Sequence, residues 1–125
     1  ASEAALKFKE TCGLHAEAYS AAEVLHGPSA LVQARFPVFA MGVGDAALPH
    51  VVATAERLAA QGADVYVTGG AAKGAVTLPS VPGLHPLVAP LVLAVSFYAF
   101  IEGLARRRGF DPDTPPHLRK VTETM

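Results

Sequence analysis

Phe36 to Thr68, FPVFAMGVGDAALPHVVATAERLAAQGADVYVT, decides the fold of this 125-residue chain. Its opening residues, Phe36 to Gly42, are a brief apolar run closing on glycine. Such a run suits a strand buried on both faces, with Pro37 at its start because proline has no N–H to give an interior ladder. Asp45 can cap the helix that follows, and Val51, Val52, Ala55, Leu58 and Ala59 give that helix an apolar stripe until Gln61-Gly62 stops it. Ala63 to Thr68, ADVYVT, is the next strand. Strand, helix and strand in this order form a βαβ unit, which requires a parallel sheet with a right-handed crossover and so an α/β class.

Upstream of this unit, Ser2 to Cys12 carries Ala5, Phe8 and Cys12 on one helical face and Glu3, Lys7 and Glu10 on another. Gly13 interrupts. Ala16 to Leu25 is Ala-rich and predicts a second helix stopped by His26-Gly27-Pro28, since glycine tolerates a left-handed turn and proline cannot continue a helix. Ser29 to Val32 reads as one short further turn. Downstream, Gly69 to Gly83 is loop-like, followed by a short edge strand from Leu84 to Leu87. Pro90 starts a long helix through about Arg107, with Arg106, Arg107 and Arg108 near its negative end. Its apolar part, Leu87 to Ala99, is bracketed by Pro90 and Glu102 and spans about a dozen residues, short of the ~20 a membrane crossing needs, so a buried core helix is expected. Asp111-Pro-Asp-Thr-Pro-Pro116 excludes regular helix and central strand and predicts an extended arm carrying His117 to Met125 elsewhere.

Composition narrows the function classes. Hydrophobic residues make up 51% and charged residues 17%, the balance of a chain that folds. Ten Lys plus Arg against eleven Asp plus Glu leave a formal charge of -1, which marks no surface for phosphate backbones or anionic membranes, so neither nucleic acid nor membrane is an expected partner. The single Cys12 excludes an internal disulfide and a Cys-rich zinc site. Ala1 begins inside a helical pattern without a basic-then-apolar leader, and the expected location is the cytoplasm.

Several residues can do chemistry. Glu3, Lys7 and Glu10 stand at i, i+4 and i+7, so one helical face holds a carboxylate pair around an ammonium. A solvated face with an ordinary Glu–Lys pair of ~0.3 kcal/mol accounts for this spacing. An acid–base site acting on a small polar substrate accounts for it too. His26 has the same two sides: a histidine stabilised by a helix dipole, or a proton shuttle near neutral pH. His15, Glu17 and Glu23 form no compact ligand set, His50, His85 and His117 are scattered, and neither metal nor cofactor is expected. Gly69-Gly70-Ala-Ala-Lys-Gly74 lacks the spacing of a phosphate cradle, and no GxSxG elbow occurs. The tail HLRKVTETM sets Lys120 on a segment with little core of its own, either a frayed terminus or a lysine swung over a pocket to neutralise an oxyanion or form a Schiff base.

The segments EAALKFKE, HAEAYSAAEVLHGP and DPDTPPHLRKVTET resemble the second sugar isomerase (SIS) domain and C-terminal tail of the enzymes that make or deaminate glucosamine 6-phosphate. The resemblance runs over nearly the whole chain. It implies a three-layer α/β/α sandwich with a central parallel sheet over residues 1–110 and a tail, residues 111–125, that covers the active site. It also implies roles: Glu10 as the carboxylate that carries a proton between carbons 1 and 2 of the open-chain sugar, Lys7 as the cation beside it, and His26, contributed by the neighbouring subunit, as the group that opens the ring. Lys120 matches the tail lysine that engages the carbonyl, while Glu3 and Arg119 are expected as substrate contacts.

The Ser/Thr-rich phosphate loop of that family lies in its first SIS domain, so these residues read as half of a site. The implied partners are a hexose or hexosamine 6-phosphate, a first SIS domain of the same protein, and a second copy in a homodimer. The tail reads HLRKVTET where the synthases read NLAKSVTVE, which turns the expectation towards deamination of glucosamine 6-phosphate to fructose 6-phosphate and ammonia. The alternatives are the isomerase domain of glutamine–fructose-6-phosphate aminotransferase, a phosphosugar sensor without turnover, and a half-domain used only for dimerisation.

Overall fold

The computed structural model describes residues 1–118. They fall into two compact units, one from Tyr19–Leu93 and the other from residues 1–18 with residues 94–118.

The first unit is built on the βαβ pattern. Strand β1 (Pro37–Met41) and strand β2 (Asp64–Thr68) pair in parallel from Pro37↔Asp64 to Met41↔Thr68, connected through helix α1 (Leu48–Ala60). Alternation along β2 turns Val65 and Val67 onto Ala55 and Leu58 of that helix, and Val38 and Ala40 join from β1, forming the core of the unit. The opposite face carries Phe39 stacked on its register partner Tyr66, ring centroids 5.3 Å apart. Strand β1 is half-exposed rather than buried on both faces, because among the described residues it pairs only with β2 and stands at the sheet edge. Pro37 does open it, where its missing N–H costs nothing.

Two carboxyl ends of the sheet meet at glycines. A Cβ on Gly69, whose φ is +76°, would lie 2.5 Å from the carbonyl oxygen of Gly42, and one on Gly42 would lie 2.8 Å from that of Thr68. The buried Thr68 Oγ1 donates to the same Gly42 carbonyl at 2.9 Å. Only glycine fits both positions.

Three local expectations are corrected here. Asp45 does not cap α1; it lies three residues ahead, its Oδ1 accepting the Ala47 N–H at 3.0 Å, and Pro49 sits in the first turn instead. The edge strand falls at Val76–Thr77 (β3), parallel to β2 and inside the stretch expected as loop, while Leu84 to Leu87 is coil and turn. Ala16 to Leu25 is not an α-helix: only Glu23–His26 coils, as a 3-10 turn, with a second such turn at Pro28–Leu31. Ser20 and Glu23 account for the late start. The Glu23 carboxylate accepts the Ser20 N–H at 2.9 Å and the Ser20 hydroxyl accepts the Glu23 N–H at 3.2 Å, a reciprocal box that sets the turn's origin at Ser20 and leaves the preceding residues outside it.

In the other unit, helix α2 (Ser2–Cys12, first in sequence) ends on Gly13 in the left-handed conformation, with the Leu14 N–H bonded to the Phe8 carbonyl. Its Ala4, Ala5 and Cys12 are buried, and it meets helix α3 (Ala89–Arg107), whose Phe97, Ile101 and Ala105 are buried at i, i+4 and i+8, with the Cys12 sulfur 3.7 Å from the Ile101 carbonyl. Phe8 meets Phe97 edge-on at 5.5 Å between centroids. The Arg108 Nε donates to the Cys12 carbonyl at 2.9 Å and fastens the helix ends.

Helix α3 differs from the buried core helix expected. It runs 19 residues with a mean hydropathy of 1.4, long and apolar enough to cross a membrane by length and composition, and only 22% of that stretch is buried. Leu91 and Val95 each keep 68% exposure, since the burial stripe covers one face of a helix that is apolar on several. After it, Asp111 accepts the Asp113 N–H and the Thr114 hydroxyl, holding the proline segment out of regular structure.

Candidate active site

The polar stripe of α2 becomes a real cluster. Lys7 Nζ donates to Glu10 Oε2 at 2.6 Å and lies 3.6 Å from Glu3 Oε1. Helix geometry alone brings the three together, since residues three and four apart lie over one another. The pair is partly shielded, the Lys7 and Glu10 side chains being 28% and 27% exposed. The hydrogen bond to Glu10, joined by the charges of Glu10 and Glu3, raises the Lys7 ammonium above the ordinary lysine value despite some desolvation, so it stays charged.

A fourth member comes from α3: the Tyr98 hydroxyl donates to Glu3 Oε1 at 2.8 Å, and that bond raises the phenol above its ordinary value. Sequence reading misses Tyr98 because 95 residues separate it from Glu3. The available signal was periodic only: Tyr98 follows Phe97, one step off the buried stripe and therefore at its polar edge.

His26 closes the 3-10 turn Glu23–His26 in the sheet unit, before Gly27 at φ 139°. This removes one of its two readings, because a four-residue 3-10 turn lacks the aligned peptides from which a helix dipole is built. Arg119 and Lys120 lie outside the described residues. His15 Nε2 and Glu17 Oε1 are 3.8 Å apart on the surface, and among the described residues no three His, Cys, Asp or Glu side chains gather as metal ligands would.

In chemical terms, a carboxylate held 2.6 Å from a charged ammonium can accept a proton from carbon while the ammonium faces the negative charge that develops on oxygen.

No protein-family model matches the sequence. Relatives do. The chain is 33% identical over 124 residues to the glutamine–fructose-6-phosphate aminotransferase (isomerizing) of Sphingobium yanoikuyae, covering 94% of this chain and 80% of that protein. It is 39% identical over 128 residues to the enzyme of the same name from Aeropyrum pernix, of which it spans 20%. Among solved structures, a chain from Silicibacter pomeroyi assigned as a phosphosugar isomerase superposes with a TM-score of 0.82 at 52% identity, covering 90% of this chain and 34% of that one. The C-terminal domain of glucosamine-fructose-6-phosphate aminotransferase from Francisella tularensis superposes at 0.79 with 27% identity over 88% of this chain and 33% of its own. This chain thus spans about a third of the solved chains and a fifth of the Aeropyrum protein. The superpositions establish the expected fold class, an α/β sandwich with a central parallel sheet. A parallel βαβ core, relatives matched over almost the whole chain, and one such relative covered over four-fifths of its length lead to one conclusion: the chain belongs to the glutamine–fructose-6-phosphate aminotransferase (isomerizing) family, with the fold of that family's C-terminal SIS domain.

Proposed function

We propose that this chain is the isomerase half-site of a glutamine–fructose-6-phosphate aminotransferase, moving a proton between carbons 1 and 2 of an open-chain hexose 6-phosphate. The observation that carries this is the 2.6 Å Lys7–Glu10 pair on α2. Glu10 takes the proton from carbon 1 of the ketose-derived intermediate, electrons shift to the carbon 2 substituent, and the same carboxylate returns the proton to carbon 2. Lys7 faces the charge that accumulates meanwhile. His26 opens the sugar ring from the neighbouring subunit of a homodimer. Lys120 closes over the carbonyl, and Glu3 and Arg119 contact the substrate. Residues 1–110 serve as the second SIS domain and residues 111–125 as its covering tail, with the phosphate held by a companion SIS domain and the whole acting in the cytoplasm.

A second reading, deamination of glucosamine 6-phosphate, draws on one observation. The Silicibacter chain, at 52% identity, is about three times the length matched here, whereas the Aeropyrum aminotransferase is about five times that length. The expectation from the tail pointed the same way, yet the relatives named for the aminotransferase match over a greater share of this chain and favour the synthase.

The test is Glu10→Gln in the full-length protein. Isomerisation is expected to fall by roughly 10²–10⁴-fold while phosphosugar binding, read by calorimetry, persists. Unchanged turnover overturns the proposal, and a wild-type protein that binds phosphosugar without converting it overturns it in favour of a sensor. Supplying fructose 6-phosphate with glutamine, and glucosamine 6-phosphate alone, separates synthesis from deamination.

A further inference from the structure

In an isolated helix Lys7 should prefer Glu3. A glutamate four residues N-terminal to a lysine is the favoured orientation of an i,i+4 pair, since each charge then sits towards the helix end of opposite sign. The observed order is reversed, with Glu10 at 2.6 Å and Glu3 at 3.6 Å. What distinguishes the two carboxylates is Tyr98. Its hydroxyl donates to Glu3 Oε1, the same oxygen that lies nearest Lys7, so the ammonium shares that oxygen with a second donor and is drawn to it less strongly than to the undivided Glu10 carboxylate. Tyr98 is carried there by α3, whose neighbouring Phe97 is locked against Phe8 of α2.

We propose that Tyr98 is a positioning residue of the isomerase site, engaging Glu3 so that the Lys7 ammonium leans towards Glu10. The inference rests on the reading of Glu10 as the proton carrier. Tyr98 touches neither Lys7 nor Glu10 by a hydrogen bond of its own; it acts through Glu3. With the hydroxyl gone, Glu3 draws the ammonium away, and Glu10 loses the partner that fixes its carboxylate. The consequence falls on the chemical step and leaves substrate capture nearly intact.

A double-mutant cycle in the full-length protein tests it, using Tyr98→Phe, Glu3→Gln and both together, with kcat and KM for phosphosugar isomerisation as readouts. The phenylalanine keeps the ring and its packing, and the Tyr98 side chain is already 43% exposed, so the variant is expected to fold and melt as wild type. Tyr98→Phe should lower kcat about fivefold, the scale of one hydrogen bond, with KM within about twofold. In the Glu3→Gln background the same change should do nothing further, because the competing charge is gone. Wild-type kcat in Tyr98→Phe, a rise in KM without loss of kcat, or losses that multiply in the double variant each overturn it. Glu10→Gln run in parallel separates two failures: full turnover there defeats the underlying reading, whereas its loss beside an unaffected Tyr98→Phe defeats only the role of Tyr98.

Discussion

Helix α2 and the segment from Ala16 to Leu25 are both rich in helix-favouring residues, yet one is helical throughout and the other coils only at its end. The difference lies in what each buries and in where its capping groups sit. Helix α2 buries Ala4, Ala5 and Cys12 and meets α3 through Phe8 on Phe97 and Cys12 on Ile101, so tertiary packing stabilises a pattern already written at the helical period. The later segment has alanines without a long apolar stripe, and its one strong local signal, the Ser20–Glu23 box, begins a turn near its end. Propensity is a weak guide unless a buried face and a cap agree with it.

The largest test of this contrast is Phe97→Ala. Removing the ring that faces Phe8 leaves a cavity under α2, expected to cost about 3 kcal/mol or more, and the charged stripe should lose both order and activity with it. A denaturant midpoint unchanged from wild type would show that α2 holds its shape without docking. A smaller effect is expected from Ser20→Ala, which removes one half of the reciprocal box and should lower the melting temperature by a few degrees. Because His26 rides on that turn, turnover of a cyclic phosphosugar should drop more than that of an analogue locked open; equal losses would detach His26 from ring opening.

The smallest effects separate the two regions by pH. Glu23 is held below the ordinary carboxylate value by the Ser20 N–H and hydroxyl, so its contribution is present above that ordinary value and lost as pH falls through the depressed one. Lys7 is held above its ordinary value by Glu10, so its contribution is complete below that value and lost as pH rises through the raised one. Stability profiles of Glu23→Gln and Lys7→Met should therefore rejoin wild type at opposite ends, the first in acid and the second in alkali.

Much of this arrangement could be read before any coordinates. The βαβ unit was legible because strand and helix periods are local and sharply bounded by Gly42 and Gly62. The Glu3, Lys7 and Glu10 cluster was legible because spacing within one helix determines contact. Strand β3 was not, since two residues within a glycine-rich stretch carry no period and owe their conformation to β2. Tyr98 was hidden by its distance in sequence, and the exposure of Leu91 and Val95 was hidden because an apolar pattern says a face seeks cover without saying what supplies it.

Cys12, the single cysteine of the chain, has no accessible surface and lies with its sulfur 3.7 Å from the Ile101 carbonyl, inside the α2–α3 contact. Thiol reagents can reach it only when the two helices part. The chain thereby carries its own clock: the rate at which a chromogenic disulfide modifies this sulfur times the breathing of the helix pair that bears Glu3, Lys7, Glu10 and Tyr98, with no label to be engineered.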